Sequence, residues 1–234
     1  MKNSSYYSTF LKLLVLQSLV VVILCKSKQH KDFDFFYFVQ QWPGAYCNAK
    51  GHHCCYPKSG KPEADFGIHG LWPNYEDGSY PSNCDRTNFF DESEVEDLES
   101  RLITEWPSLS CPSSDGMRFW SHEWNKHGTC AESILDQRSY FMAALNLKNQ
   151  TNLLQALKDG GIEPNDEFYN LEDIKQAIQA GTGFEPWIEC NRDADRNSQL
   201  FQVYMCVDTT GNSLIECPVR PRGNCASRIL FPSF

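Results

Sequence analysis

An even set of ten cysteines constrains the fold of this 234-residue chain more than any other feature. An eleventh, Cys25, ends a nearly unbroken apolar run that begins at Leu13 and follows a polar start carrying Lys2 and Lys12. This pattern is typical of a secretory signal, and the run is too short to span a bilayer comfortably. Cleavage after residue 25 would leave ten cysteines in an oxidising compartment, where we expect disulfides. They are Cys47, Cys54, Cys55, Cys84, Cys111, Cys130, Cys190, Cys206, Cys217 and Cys225.

The alternative for the first 25 residues is an uncleaved membrane anchor. No second apolar run follows them, and a charged segment starts at Lys26, so the sequence favours cleavage. The remaining length suits one domain with a sizeable core. We therefore expect a signal peptide over residues 1–25, and a single, monomeric domain without a membrane segment over residues 26–234.

Charge excludes a generally basic surface for nucleic acid. The formal net charge is -9, and losing Lys2 and Lys12 with the signal would make it -11. Binding to polyanions should be weak at neutral pH. A polyanionic substrate remains compatible with this charge, because a few cations can be concentrated in one cleft and histidines gain charge as pH falls.

Hydrophobic patterning predicts strands at both ends of the chain and helices between them. Residues 32–42 are typical of a buried strand, and residues 200–207 and 213–217 are the arms of a predicted hairpin. Asp91 and Asp136 are the expected N-caps of the first two helices. The predicted helices cover residues 92–106, 137–148, 152–158 and 171–180. The expected fold class is α+β, with a mainly antiparallel sheet packed against several helices and stapled by disulfides.

Two short segments rich in glycine and tryptophan hold half of the chain's six histidines. Residues 66–74 are Phe-Gly-Ile-His-Gly-Leu-Trp-Pro-Asn, and residues 119–130 are Phe-Trp-Ser-His-Glu-Trp-Asn-Lys-His-Gly-Thr-Cys. Because histidine titrates near neutrality, His69, His122 and His127 indicate proton transfer in an aromatic-lined cleft.

Spacing in the second segment limits the chemistry. On a helix, Glu123 and His127 share one face, and His122 and Lys126 share the adjacent one. A carboxylate beside His127 would hold the ring and favour its protonated form, and the other pair would form a cationic patch for a phosphate oxygen. Zinc proteases place two helical histidines four residues apart, whereas His122 and His127 are five apart, which argues against that metal site.

The segment His-His-Cys-Cys at residues 52–55 is the other candidate for a metal site. It lacks the spaced ligand pairs of structural zinc sites, and exported thiols tend to oxidise, so we expect no metal and no other cofactor. The G-x-S-x-G motif of a nucleophilic serine is also missing. An enzyme with these residues needs a substrate that carries its own nucleophile, as RNA does in its 2′-hydroxyl.

Such a reaction would use one histidine as base and another as acid, with Lys126 stabilising the charged phosphorane. The alternative is that His69 and His127 are structural and only donate to nearby backbone groups. Trp72 leaves two interpretations as well, a core residue or a platform on which a base stacks.

These segments resemble the ribonuclease T2 family, specifically the S-like ribonucleases of plants. The resemblance also covers Phe-Val-Gln-Gln-Trp-Pro at residues 38–43, the ten cysteines and Ile-Glu-Cys-Pro at residues 215–218. It implies a secreted or vacuolar endoribonuclease that cuts single-stranded RNA without metal. The implied reaction passes through a 2′,3′-cyclic phosphate, which is then hydrolysed to a 3′-phosphate.

The same resemblance implies roles for individual residues. His127 would be the general base and His69 the general acid. The remaining implied catalytic residues, which hold the phosphate and stabilise the transition state, are His122, Glu123 and Lys126. The implied base-binding residues are Gln41 and Phe119 for one base, and Trp72 and Asn74 for another. Relatives differ at positions 74 and 108, so base preference stays open.

The family's disulfide pattern gives a specific pairing of the ten cysteines. It implies the pairs Cys47–Cys54, Cys55–Cys111, Cys84–Cys130, Cys190–Cys225 and Cys206–Cys217. Separately, Asn149-Gln150-Thr151 is a sequon for N-glycosylation in an exported chain, so Asn149 is a candidate glycosylation site.

Three alternatives to an S-like ribonuclease remain. A stylar self-incompatibility ribonuclease would share the motifs, although that branch is commonly basic. A catalytically silent storage or defence relative would have no need of the intact set of histidines. A secreted glycosidase would need a pair of catalytic carboxylates.

Overall fold

A computed structural model describes residues 33–51 and 53–234 of the chain. Residues Phe33–Phe234 form one compact unit. The expected signal peptide and the first residues of the expected mature domain lie outside the described residues. Within the described ranges, no helix is long and apolar enough to cross a membrane.

The centre of the fold is a sheet built on two long aromatic and β-branched strands. The strands of the described chain are β1 (Phe35–Gln41), β2 (Gly67–Asn74), β3 (Glu167–Asn170), β4 (Trp187–Arg192), β5 (Ser198–Val207), β6 (Leu214–Ile215) and β7 (Arg228–Phe231). β1 lies between β2 and β5 and is antiparallel to both. β4, β6 and β7 pair with β5, and β3 pairs with β7.

Helices occupy the middle of the chain, as the patterning predicts. They are α1 (Pro43–Cys47), α2 (Glu99–Glu105), α3 (Met117–Lys126), α4 (Gln137–Gln150), α5 (Leu153–Asp159) and α6 (Leu171–Thr182). The Asp136 side chain caps α4 by accepting a hydrogen bond from the Ser139 amide. The α+β class with a mainly antiparallel sheet and five disulfides is therefore confirmed.

The prediction of one helix over residues 92–106 is wrong in its first half. That part forms two short 3₁₀ turns, Glu92–Glu94 and Glu96–Leu98, and the α-helix starts only at Glu99. Val95 separates the turns with φ -123° and ψ 10°, outside the helical region, while its side chain is buried in the core. The second arm of the predicted hairpin is also shorter than expected, since it pairs only over Leu214–Ile215.

The two faces of β1 carry different surroundings. Phe36 and Phe38 face a core shared with α2, α3 and α4. Tyr37 and Val39 face the opposite side, where they pack with Tyr204 in a smaller aromatic cluster. Because side chains alternate across a strand, this alternation determines which residues of β2 and β5 share each face.

The disulfides pair the ten cysteines as the resemblance implies: Cys47–Cys54, Cys55–Cys111, Cys84–Cys130, Cys190–Cys225 and Cys206–Cys217. The Cys84–Cys130 bond ties the loop after β2 to the chain that leaves α3. Both histidine segments are thus connected to a cross-linked frame.

Candidate active site

A β-bulge sets the position of the first histidine. In the pairing of β1 with β2, Val39 lies opposite Gly70 and Gln40 lies opposite Ile68, so His69 is the extra residue between two pairs. A bulge lets neighbouring side chains depart from strict alternation. The His69 ring consequently contacts the ring of Trp72 on the same strand, with centroids 4.9 Å apart.

The end of α3 sets the position of the second histidine. The helix ends at Lys126, and His127 is its C-cap with φ -115° and ψ -48°. Its ring stacks on Trp72 at 5.2 Å between centroids and 27° between planes. Trp72 therefore contacts both histidines.

Gly70 permits this close arrangement. The Trp72 indole Nε1 donates a 2.8 Å hydrogen bond to Oε2 of Glu123. A Cβ on Gly70 would collide with both the Trp72 ring and the Glu123 carboxylate. The φ of Gly70 is not in the left-handed region, so backbone conformation does not explain the glycine. Position 70 needs glycine because two side chains approach the backbone closely.

One cleft of about 250 Å³ collects most of the predicted site residues. Its lining residues are His69, Trp72, Pro73, Asn74, Tyr80, His122, Glu123, Lys126 and His127. All five predicted catalytic residues are among them. The cleft also contains two of the four predicted base-binding residues, Trp72 and Asn74.

The other two predicted base-binding residues line different cavities. Phe119 lines a neighbouring cavity of about 550 Å³ that shares His122 with the first cleft, and its ring lies 5.8 Å from that of His69. Gln41 lines a separate cavity of about 300 Å³. The structure thus places Phe119 beside the histidine cleft and does not bring Gln41 into it.

Burial and nearby cations keep His127 neutral. The side chain is buried, and its pKa is lowered to about 3 by desolvation first, then by the charges of Lys126, His122 and His69. Its Nδ1 atom has no hydrogen-bond partner among the described residues. His127 therefore stays neutral, and able to accept a proton, in mildly acidic solution.

His69 responds to a similar environment with one added contact. Desolvation lowers its pKa to about 4, with smaller contributions from His122 and Lys126. A hydrogen bond with Gln202 raises the pKa and opposes those effects. The pKa of His122, which is more exposed, is also lowered, by desolvation and by Lys126.

Glu123 differs from what the helical spacing predicts. Its side chain is 2% exposed, and burial raises its pKa to about 8, against the opposing effects of Trp72 and Lys126. The carboxyl group of Glu123 accepts a hydrogen bond from Trp72. His127 lies at the end of the helix, and its ring is neutral. The expectation that a Glu123 carboxylate favours protonated His127 is wrong, because a buried acid at this position is itself uncharged below about pH 8.

The tryptophans of the two segments separate into two groups. Trp120 and Trp124 are fully buried in the main core. Trp72 is only partly buried and lines the cleft. Of the two interpretations for Trp72, its position fits a platform in the cleft rather than a core residue.

The sequence reasoning missed two residues that the fold brings to the site. Tyr80 lies in the loop after β2 and lines the cleft with 60% of its surface exposed. Gln202 comes from β5, and its amide is 2.7 Å from Nδ1 of His69. Tyr80 falls only eight residues after Trp72, whereas nothing in the sequence around Gln202 distinguishes it from other strand residues.

The candidate metal segment is used differently. Cys54 and Cys55 are bonded to Cys47 and Cys111, so their sulfurs are not free thiolates. His52 lies outside the described residues. In the part of the chain that the structure describes, no three His, Cys, Asp or Glu side chains are grouped as ligands of a metal ion.

Comparisons with known proteins give one consistent family. The sequence model of the Ribonuclease T2 family matches residues 33–217. Ribonuclease 1 of Arabidopsis thaliana is 58% identical over 224 residues, which cover 94% of this chain and 97% of that protein. Extracellular ribonuclease LE and intracellular ribonuclease LX of Solanum lycopersicum are 55% and 56% identical, covering 100% and 96% of this chain and 100% and 92% of their own lengths.

The fold has a solved counterpart. A crystal structure of RNase NT in complex with 5′-AMP superposes with a TM-score of 0.84 at 56% sequence identity. The match covers 87% of this chain and 100% of that chain.

Proposed function

Because the chain belongs to the ribonuclease T2 family and is an endoribonuclease, we propose that it cleaves single-stranded RNA by metal-free acid and base catalysis in the histidine cleft. The observation that carries this proposal is that one cleft holds His69, His127 and the cation Lys126, with the Nδ1 of His69 beside Gln202 and that of His127 without a partner among the described residues. The family resemblance implies His127 as base and His69 as acid, and burial lowers the pKa of both rings so that each can lose its proton readily.

In the first step, neutral His127 removes the proton from the 2′-hydroxyl, and the 2′-oxygen attacks the adjacent phosphorus. Protonated His69 gives its Nε2 proton to the departing 5′-oxygen. The products are a 2′,3′-cyclic phosphate and a free 5′-hydroxyl. Hydrolysis reverses the roles, since His69 takes a proton from water and His127 returns one to the 2′-oxygen, leaving a 3′-phosphate.

Three further residues support the phosphorane. Lys126 and His122 supply positive charge beside the two reacting histidines, as their effects on those pKa values indicate. Glu123 is protonated at acidic pH, so its O–H can donate to a non-bridging oxygen while its other oxygen accepts from Trp72. A carboxylate would repel the phosphate, and burial removes that charge.

The donor set favours a mechanism without metal. Glu123 is the only carboxyl group among the described residues lining the cleft, and it is uncharged at the working pH. The other polar groups there include three histidines and a lysine, which repel a cation when charged. The same composition argues against the glycosidase alternative, which needs two catalytic carboxyl groups.

The bases of the RNA are expected on either side of the scissile phosphate. We place one base against Trp72, Asn74 and Tyr80, which line the catalytic cleft. The other occupies the adjoining cavity beside Phe119, which contains Ser108 and shares His122. Gln41 lines neither cavity, and its amide lies 3.5 Å from that of Gln202, which in turn contacts His69.

The test is cleavage of a short RNA in excess EDTA, with the phosphorus products followed by ³¹P NMR. A cyclic phosphate should appear first and a 3′-phosphate later. An RNA with a single 2′-deoxy nucleotide at the cleaved position should remain intact, while the variant His53→Ala, which alters an exposed histidine outside the cleft, should keep full activity. Cleavage of the deoxy substrate, or loss of activity in EDTA, would refute the mechanism.

We also propose export through the secretory pathway to the cell exterior or the vacuole, with residues 1–25 removed and Asn149 glycosylated. The apolar N-terminal run and the five disulfides support this route. Mass spectrometry of the protein purified from its native tissue should find a mature N-terminus near residue 26 and a glycan on Asn149. An N-terminus at Met1 would contradict the proposal.

A further inference from the structure

A chain of polar side chains extends from His69 into the sheet, away from the cleft. The Gln202 amide lies 2.7 Å from His69 Nδ1 and 3.1 Å from the Tyr204 hydroxyl. The Tyr204 hydroxyl in turn donates to Glu189 at 2.7 Å. Gln202, Tyr204 and Glu189 share one face of the sheet, since Gln202 is opposite Glu189 in the pairing of β4 with β5.

Packing holds this chain in place. Gln202 is 4% exposed, and Tyr204 lies among three aromatic rings, with centroid distances of 4.5 Å to Trp187, 5.6 Å to Tyr37 and 5.8 Å to Trp72. A second β-bulge lies beside Gln202, because Glu189 pairs with Gln202 and Cys190 with Leu200, which leaves Phe201 unpaired between them. His69 and Gln202 come from strands that β1 separates, and the bulge at His69 shifts the register on the β2 side.

The single hydroxyl proton of Tyr204 bears on the orientation of the Gln202 amide. Tyr204 has one hydroxyl proton and two acceptors within reach, Glu189 and the Gln202 oxygen. Turning the amide by 180° keeps its shape and resolves this excess of acceptors. The Gln202 nitrogen then donates to Tyr204, Tyr204 donates to Glu189, and the Gln202 oxygen accepts from the Nδ1–H of His69.

Gln41 also fits the turned orientation. Its amide oxygen lies 3.5 Å from the Gln202 amide nitrogen. If the Gln41 amide turns as well, its nitrogen can donate to the Gln202 oxygen. Each hydrogen bond that connects these side chains then has one donor and one acceptor, and paired networks of buried polar groups hold their members in a fixed arrangement.

We propose that Gln202 is a positioning residue for His69: held by Tyr204 and Glu189, its amide oxygen accepts the Nδ1–H of His69 and keeps the exchangeable proton on Nε2, which faces the cleft. This inference rests on the proposed function for the role of His69 as general acid. The hydrogen bond favours the imidazolium form, because an acceptor on Nδ1 stabilises the charged ring. It counteracts the groups that disfavour that form, namely burial by the surrounding sheet and the cations His122 and Lys126 on α3.

The hydrogen bond also explains why His69 and His127 differ. The Nδ1 of His127 is buried without a partner in the described structure, whereas that of His69 has Gln202. Glu189 is the acid of this hydrogen-bonded series of side chains. It is connected to Gln202 through Tyr204 and has no hydrogen bond to His69 among the described contacts. A neutral amide rather than a carboxylate therefore contacts the ring, which leaves the imidazolium acidic enough to donate its proton.

Three variants of the whole domain without the signal peptide test the proposal. In each, the histidines are titrated by ¹⁵N NMR in the absence of RNA. Gln202→Leu should lower the pKa of His69 by about one unit and reduce its Nδ1–H tautomer, since a hydrogen bond to a charged group is lost. Gln202→Glu should raise that pKa, because the carboxylate restores the acceptor and adds charge. Tyr204→Phe should have a smaller effect in the same direction as Gln202→Leu.

Gln40→Leu is the matched control. Gln40 is a fully buried glutamine of β1 that bonds Thr151 on the other face of the sheet, so its loss should lower stability without moving the pKa of His69. An unchanged His69 pKa and tautomer in folded Gln202→Leu would overturn the proposal; if that variant does not fold, an unchanged pKa in Gln202→Glu would overturn it equally.

The pH dependence of RNA cleavage separates this proposal from the one it rests on. The basic limb of kcat/KM should move with the His69 pKa, downward in Gln202→Leu and upward in Gln202→Glu. A different result is that the pKa of His69 measured by NMR changes while the basic limb of kcat/KM stays where it is. In that case Gln202 positions His69 as inferred, and the assignment of His69 as general acid is refuted.

Discussion

The two histidines proposed as acid and base lie on different kinds of backbone, and their second ring nitrogens have different surroundings. His69 is the extra residue of a β-bulge and has an amide on its Nδ1. His127 caps a helix, and its Nδ1 has no partner among the described residues. Burial lowers both pKa values, to about 3 for His127 and about 4 for His69. The two histidines therefore differ most clearly in what the second ring nitrogen contacts, and such a contact orients the ring and its proton.

Removing either histidine should give the largest effect on activity. We expect His127→Ala and His69→Ala each to lower kcat by about a thousandfold, the range for loss of a general base or acid. Steady-state cleavage of a dinucleoside phosphate measures this, with His53→Ala as the control. If either variant keeps more than a tenth of the activity, its assigned role is wrong.

Adding one methyl group between the two regions should give the next largest effect. Gly70→Ala forces a Cβ against the Trp72 ring and the Glu123 carboxyl group, which shifts the platform shared by both histidines. We expect about a hundredfold loss in kcat, as for a misplacement of about 1 Å.

Gly67→Ala on the same strand is its control. The added Cβ there meets Pro107 Cδ at 3.3 Å and no residue of the cleft, so activity should change little. Equal losses in the two variants would mean that β2 is damaged generally and that the Trp72 contact has no special importance.

The unequal predictability of the two regions has a physical reason. The helical segment can be placed from its spacing, because side chains four apart on a helix are neighbours whatever lies around it. Burial depends on parts of the chain far from the helix. Spacing therefore predicts the position of Glu123 correctly, but it predicts neither the protonation state of Glu123 nor its hydrogen-bond partner. The strand region depends on register: His69 reaches Gln202 only because a bulge shifts the pairing, and no local pattern encodes a partner on another strand.

The same reasoning covers the fold. Strands with strong aromatic patterns and the capped helix α4 follow from local preference, whereas Val95 breaks the predicted helix because a core position determines its backbone. Short strands such as Arg228–Phe231 depend on partners far along the chain and leave little local signal. The resemblance supplied the base-binding residues, and of these Gln41 lies apart from the cleft.

Glu123→Gln should show how the protein keeps a neutral acid in the cleft that holds both histidines. The folded pKa of about 8 lies above the unfolded value, so the folded state binds more protons between about pH 4.5 and 8. Glu123 therefore contributes stability at low pH that is lost as pH rises through that range, by about 1.4 kcal/mol per unit.

The glutamine variant cannot ionise, so its free energy of unfolding relative to wild type should increase over that range. Urea denaturation at several pH values measures the difference, and comparing the two proteins cancels the contributions of His69 and His127. A difference that does not depend on pH would mean that Glu123 ionises normally.

Trp72→Phe should have the smallest effect of the series. The variant keeps an aromatic ring beside the histidines but loses the hydrogen bond to Glu123, so we expect a five- to tenfold loss in kcat, equivalent to about 1 kcal/mol. Trp72→Ala removes the ring as well and should be clearly worse. Equal activity of the two variants would show that the stacked ring contributes nothing to the site.

The pH dependence of kcat/KM for His69→Ala and His127→Ala beside wild type tests the opposing roles of the histidines most directly. Wild type should give a bell with an acidic optimum, because His127 must be neutral and His69 charged. The residual activity of His127→Ala should lose the acidic limb, and that of His69→Ala should lose the basic limb. If both variants lose the same limb, or wild-type activity rises steadily to alkaline pH, the two histidines do not act as base and acid.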